Sequence, residues 1–204
     1  MATAWRPTKE QLAAAYGKTI SDLIAADLRV LFVGINPGLY SGAVGHHFAR
    51  PGNRFWPALH AAGFTTRLLS PFEEGDLLQC GLGITNLVAR TTATAAELTT
   101  DELQQGAKLL ERKVRRYKPR FVAFLGLDSY RKGFAQQRAT VGPQEEGIGE
   151  SRVWLLPNPS GLNAHFQLPD LARLYGDLNL ASSVTTARGA TQRPRRSPPA
   201  ASHR

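Results

Sequence analysis

The sequence predicts an α/β fold: a short, mainly parallel, four-stranded sheet covered on both faces by helices. Two observations carry this. Four short apolar runs, at residues 30–34, 84–88, 121–126 and 152–156, each stop abruptly at glycine, proline or a small polar loop. Amphipathic helical segments separate them, and strands that alternate with helices form parallel sheets buried on both sides. A length of 204 residues with 42% hydrophobic content supplies one core. The expected organisation is therefore a single domain over residues 1–183 and a disordered Pro-, Ser-, Thr- and Arg-rich tail over 184–204.

In chain order, Thr8-Lys9-Glu10-Gln11 reads as a capping box opening a short helix that ends at Gly17. An amphipathic turn over Ile20–Leu28 leads into the strand Val30–Gly34, and a long loop is expected from Leu39 to Gly52. Asn53 is placed to cap a helix over Arg54–Ala62, with Phe55, Trp56 and Leu59 facing the core and Gly63 as the stop. Pro71–Cys80 reads as a short helix and Ile84–Val88 as the second strand. Thr100 is expected to cap a helix over Asp101–Lys118, with Leu103, Leu110 and Val114 inward and Lys108, Arg112, Lys113, Arg115 and Arg116 outward. Phe121–Gly126, a helix over Asp128–Gln136, a turn-rich stretch over Gly142–Gly149, the strand Arg152–Leu156 and a helix over Pro169–Leu180 complete the chain.

Charge and cysteine content narrow the function. The net charge of +9 favours a polyanionic partner, but five arginines and no acid lie in residues 184–204, leaving only +4 on the body. Cys80 is the single cysteine, which excludes an intramolecular disulfide and any all-cysteine metal site, and it reads as a reduced, buried thiol. No apolar run reaches the roughly 18 residues of a membrane span, and the N-terminus lacks an apolar signal core. A soluble, cytoplasmic protein is expected, associated with the nucleoid if the source is bacterial.

Two of the predicted strand ends carry nearly the same punctuation, Gly34-Ile35-Asn36-Pro37-Gly38 and Pro157-Asn158-Pro159-Ser160-Gly161. Each presents an asparagine stiffened by the following proline, with glycine where a backbone comes close to something. Alone, Asn36 is equally readable as a turn residue capping its own backbone. The repetition favours a site, because ligands of such sheets bind beyond the carboxyl ends of the strands. Nucleotide-binding glycine signatures are absent, Ser160 lacks the glycine elbow of a serine hydrolase, and the adjacent His46 and His47 lack further ligands for a metal. An amide can orient water or stabilise a leaving group but cannot act as a general base, so chemistry governed by positioning is expected.

Three runs together, Gly34-Ile35-Asn36-Pro37-Gly38, Phe48-Ala49-Arg50-Pro51-Gly52-Asn53-Arg54-Phe55-Trp56 and Asn158-Pro159-Ser160-Gly161-Leu162-Asn163, resemble the mismatch-specific uracil-DNA glycosylases, relatives of thymine-DNA glycosylase. The resemblance spans roughly residues 29–183. It implies a three-layer αβα sandwich and a monofunctional, cofactor-free, monomeric enzyme that acts on double-stranded DNA containing uracil or a mispair, with no membrane partner. By that likeness Asn36 positions the attacking water. Phe48 stacks on the flipped base, and Ile35, Gly38 and Asn86 help form its pocket. Asn158, Ser160 and Arg50 lie by the sugar and phosphates, while Gly161, Leu162 and Asn163 enter the duplex, Leu162 filling the gap left by the base. Flipping a base costs a few kcal/mol, which a wedge and a stacking ring offset.

The residues also admit plainer readings. Phe48 and Leu162 could be core, Asn86 could satisfy backbone at a strand end, and Arg50 and Arg54 could pair with acids instead of phosphates. The chain departs from the likeness at Ala164, where some relatives carry a basic residue, with His165 and Phe166 as candidate substitutes. It departs again at Ala89, where relatives often carry a carboxylate, so any helper acid in the loop over residues 89–96 is missing. A lesion-binding module without catalysis and a nucleoside-metabolising hydrolase are the alternatives these departures leave open.

Overall fold

A computed structural model describes residues 6–184. Thr8 caps α1 (Lys9–Ala14) in a reciprocal box with Gln11, as the sequence predicts. The segment that follows is not the expected amphipathic turn. Leu23 exchanges both backbone hydrogen bonds with Ile84, at 2.9 and 2.8 Å, so the chain runs extended along the sheet edge. After β1 (Val30–Gly34) the expected loop contains a helix, α2 (Leu39–Val44), which ends at Gly45 in the left-handed region. Gly42 allows it, because a Cβ there would meet Thr91 Oγ1 at 2.6 Å. α3 (Phe55–Ala61) follows, with Asn53 Oδ1 accepting from the Phe55 amide, and then a 3₁₀ segment over Pro71–Cys80.

β2 (Leu82–Asn86) begins two residues before its predicted start, and α4 (Thr100–Tyr117) is capped by Thr99 one residue before the predicted cap. β3 (Phe121–Leu125), α5 (Leu127–Gly133), β4 (Gly142–Pro143), β5 (Arg152–Leu156) and α6 (Leu168–Val184) complete the order. Val184 thus closes a helix instead of opening the tail, and residues 185–204 lie outside the described residues. Lys113, expected on the outer face of α4, reaches back to Asp22 and Thr85. Cys80 is exposed, not buried, at the end of its 3₁₀ segment.

The sheet has five strands, in the order β2-β1-β3-β5-β4, where four were expected. The four long ones are parallel; β4 adds two residues antiparallel to β5. Successive side chains of a strand face opposite sides, which divides the core in two. Phe32, Ile84, Ala123 and Leu156 pack with Phe55 and Leu59 of α3 and Leu171 and Tyr175 of α6. Val33, Val122, Phe124 and Leu155 pack with Leu103, Leu110 and Val114 of α4 and Tyr130 of α5. This is a three-layer αβα arrangement. The chain leaves β1 toward β2 and returns to place β3 on the other side, so a crevice opens between the carboxyl ends of β1 and β3, where such sheets bind ligands.

Candidate active site

A cleft of about 310 Å³ opens at that crevice. Asn36, Phe48, Asn86, Asn158, Ser160 and Leu162 line it, together with Ile35, Gly38 and Arg50. Nine of the residues singled out from sequence therefore meet in one place, from segments more than a hundred positions apart. Gly161 and Asn163 do not line this cleft. Asn163 faces an adjoining cavity of about 550 Å³ that shares the Asn158 wall, and Gly161 is pressed against Gly52, whose carbonyl oxygen would sit 2.6 Å from a Cβ at 161.

Gly34, the last residue of β1, lies against two of the cleft's side chains. Asn86 ends β2 in register with it, and a Cβ at Gly34 would stand 2.6 Å from Asn86 Oδ1 and 3.2 Å from Phe48 Cζ. Only a hydrogen leaves room for both side chains. Phe48 holds a left-handed φ of 52°, rare for a residue with a bulky side chain. Its ring stacks on Phe55 at 4.2 Å, which uses one face and leaves the ring half-buried at the cleft. Phe48 is thus part core and part cleft wall. The Asn86 amide makes no hydrogen bond among the described residues, so its donor and acceptor are both available.

Asn36 is fixed differently. Its Nδ2 donates to Thr92 Oγ1 at 2.7 Å, to Arg90 O at 3.0 Å and to Pro37 O at 3.2 Å. Thr92 Oγ1 in turn donates its own hydrogen to Thr94 O at 2.8 Å, so it offers Asn36 a lone pair only. All three partners are acceptors, which sets the amide with nitrogen toward the loop over residues 90–94 and leaves Oδ1 as an unengaged acceptor. A backbone bond from Thr92 N to Pro37 O at 3.2 Å fastens that loop to the turn. Arg90 is held in turn by Glu102, whose carboxyl its guanidinium and the Thr99 amide pull down to about 2.

No carboxylate lines the cleft among the described residues; His47 and Arg50 are its ionisable side chains. Ala89 is exposed and outside the lining, whereas Ala93 belongs to it. His47 is buried and its Nδ1 meets Glu74 Oε2 at 2.9 Å, while His46 Nδ1 meets Oε1 of the same carboxylate at 3.0 Å. Burial pushes the Glu74 carboxyl up, but hydrogen bonds from both histidines outweigh it and hold the group below its ordinary range. His47 Nε2 is buried without a partner among the described residues. Arg50 is exposed at the rim and forms no ion pair among the described residues.

The loop after β5 is closely tied. Asn158 Oδ1 accepts from Ser160 N at 3.0 Å, Ser160 Oγ accepts from Leu162 N at 3.3 Å, and Asn163 Nδ2 donates to Asn158 O at 3.0 Å. Leu162 at its apex is 76% exposed, so it is not a core residue. Arg54, read as a partner for an acid or for phosphates, pairs with no acid among the described residues: its guanidinium donates to backbone oxygens of this loop.

Thr92, Glu74 and the loop contacts of Arg54 were not evident from sequence. Thr92 carries one signal, a polar residue just past a strand end. Glu74 and His47 carry none, since partners of ordinary type stand 27 positions apart.

The fold resembles the solution NMR structure of a candidate uracil DNA glycosylase from Methanosarcina acetivorans, with a TM-score of 0.54 at 16% identity, covering 80% of this chain and 98% of that one. The family model of the uracil DNA glycosylase superfamily matches residues 21–179, which include all five strands and every residue of the cleft except Ile20. The chain therefore belongs to the uracil DNA glycosylase superfamily.

Proposed function

We propose that the protein is a monofunctional DNA glycosylase that hydrolyses the N-glycosidic bond of uracil in duplex DNA, favouring G·U mispairs. The observation that carries this reading is the Asn36 amide, held by three acceptors, with its Oδ1 unengaged and no carboxylate lining the cleft among the described residues. Oδ1 accepts one hydrogen of a water and aims that oxygen at C1′ of the sugar. As the C–O bond forms, the C1′–N1 bond breaks and its electron pair leaves on the base; the excess proton of the water passes to solvent. Free base and an abasic site result.

Such a reaction needs an oriented nucleophile and support for an anionic leaving group more than a strong base. The unpaired Asn86 amide offers one donor and one acceptor, which matches the carbonyl and N–H edge of uracil. Phe48, braced by Phe55, gives the extruded base a stacking face. Leu162 fills the space it leaves in the duplex, and Arg50 meets a phosphate beside it. Neither a metal nor an organic cofactor has a part in these steps.

The test is a labelled G·U duplex incubated with the protein and then treated with alkali, which cleaves the strand at an abasic site. Cleavage at the uracil is expected. Salt-sensitive binding without cleavage would make the protein a lesion-binding module. Release of base from free deoxyuridine, without DNA binding, would make it a nucleoside hydrolase.

A further inference from the structure

Arg54 stands at the start of α3, and four oxygens surround its guanidinium. Nη1 donates to Phe166 O at 2.6 Å and to Gln167 Oε1 at 3.2 Å; Nη2 donates to Asn163 O at 2.7 Å and to Ser160 O. Its backbone amide adds a fifth contact, to Pro159 O at 2.9 Å. Three of these acceptors are main-chain carbonyls spaced three residues apart, so the chain from 160 to 167 is wrapped around one cation. Among the described residues no carboxylate pairs with Arg54.

We propose that Arg54 is a positioning residue that presets the loop bearing Leu162 in the shape that enters the duplex. This rests on the glycosylase reading above. An exposed leucine fills a gap in stacked DNA only if its backbone is already placed, because ordering eight residues at the moment of binding would oppose insertion. Carbonyls turned inward to a guanidinium hold the apex outward without using any group of the apex itself. Gly161 pressed against Gly52 O fixes the same loop from the other side. A lysine could not replace the arginine, since an ammonium has three hydrogens on one atom and lacks the planar fork that reaches four separated acceptors.

The test compares single-turnover uracil release from a G·U duplex and from a single strand in the full chain and in Arg54→Gln, Arg54→Lys, Leu162→Ala and the Arg54→Gln/Leu162→Ala double variant. Both Arg54 variants are expected to lose roughly tenfold or more on the duplex. They should stay within about twofold of the parent on the single strand, and Arg54→Gln should add no further loss in the Leu162→Ala background. Equal losses on both substrates, or losses that multiply with Leu162→Ala, overturn the proposal. Amide hydrogen exchange supplies a readout independent of activity: it should rise across residues 159–167 in both Arg54 variants while β1 and β3 stay protected. A parent that releases no uracil from either substrate defeats the glycosylase reading, and exchange then decides the clamp. Unchanged exchange at 159–167 overturns it; raised exchange upholds it.

Discussion

Replacing Thr92 by valine tests how the Asn36 amide is oriented, because it removes one hydroxyl and almost no volume. Thr92 is 1% exposed, and its Oγ1 is the shortest of the three acceptors around Asn36 Nδ2, at 2.7 Å. The two that remain are Arg90 O at 3.0 Å and Pro37 O at 3.2 Å. The Pro37 carbonyl belongs to the adjacent residue and makes the longest of the three contacts. A neutral hydrogen bond contributes about 0.5–1.5 kcal/mol. Loss of that much orientation converts to roughly a two- to thirteenfold slower chemical step. Asn36→Ala removes the oriented acceptor altogether, and a fall on the order of 10²–10³ is expected, as for loss of a preorganised polar group in other active sites. The assay is single-turnover uracil release from a G·U duplex, with the affinity for an uncleavable duplex measured alongside. Affinity should stay within about twofold of the parent for both variants, since neither touches the loop that enters DNA. An unchanged rate in Thr92→Val beside an inactive Asn36→Ala would refute the role of the hydroxyl. A parallel loss of affinity in both would refute the water-positioning role of Asn36.

Leu162→Ala should slow release from a duplex by roughly tenfold and barely alter release from a single strand, where no gap needs filling; comparable losses on both would remove the wedge. Tyr175 is fully buried and its hydroxyl has no partner among the described residues, so Tyr175→Phe should leave stability unchanged or raise it by about 1 kcal/mol, and a lower melting temperature would reveal a hidden partner for the hydroxyl. Glu102 sits near 2 in the folded chain against an ordinary 4.5, because Arg90 and the Thr99 amide bind its charged form. The unfolded chain therefore takes up more protons between those values, and the contribution of Glu102 is present above 4.5 and lost as pH falls toward 2. Melting temperature should drop over that window, and Glu102→Gln should flatten the drop; an unchanged slope would show that other carboxylates carry it.

The elements that sequence made legible are those whose cause is local. Val30–Gly34 is a continuous apolar run closed by a proline turn, and Thr8 and Gln11 form a capping box within four residues, so both are found where expected. The strand-end asparagines were legible because rigid dipeptides repeat at two strand ends. Elements built by distant contacts were not. α2 is the six residues Leu39-Tyr40-Ser41-Gly42-Ala43-Val44, too short to show a helical period, and it packs through Gly42 onto Thr91. β4 is a glycine and a proline that pair with β5 and carry no periodicity. Arg54 read as a partner for acids or phosphates because its main acceptors are carbonyls over a hundred residues away, and backbone atoms leave no mark in a sequence. Cys80 misled in the opposite direction, since its residue type favours burial while its position at the end of a 3₁₀ segment exposes it.

The cage around the Asn36 nitrogen also decides which residue types that position accepts. Aspartate matches asparagine in shape, but its carboxylate would turn one oxygen toward the carbonyls of Arg90 and Pro37 and toward a threonine oxygen whose hydrogen is already committed. Three lone pairs facing a fourth favour the protonated acid, so an aspartic acid at residue 36 would be held neutral well above its ordinary range. Its one hydrogen would point into the cage, in the place of the amide hydrogens, and the other oxygen would still accept from water. An Asn36→Asp protein would therefore mimic the amide in acid and lose that arrangement as the pH rises and the carboxyl ionises. The turn is in this sense wired for a neutral side chain, and its asparagine is the one residue that keeps that wiring at every pH at which the protein folds.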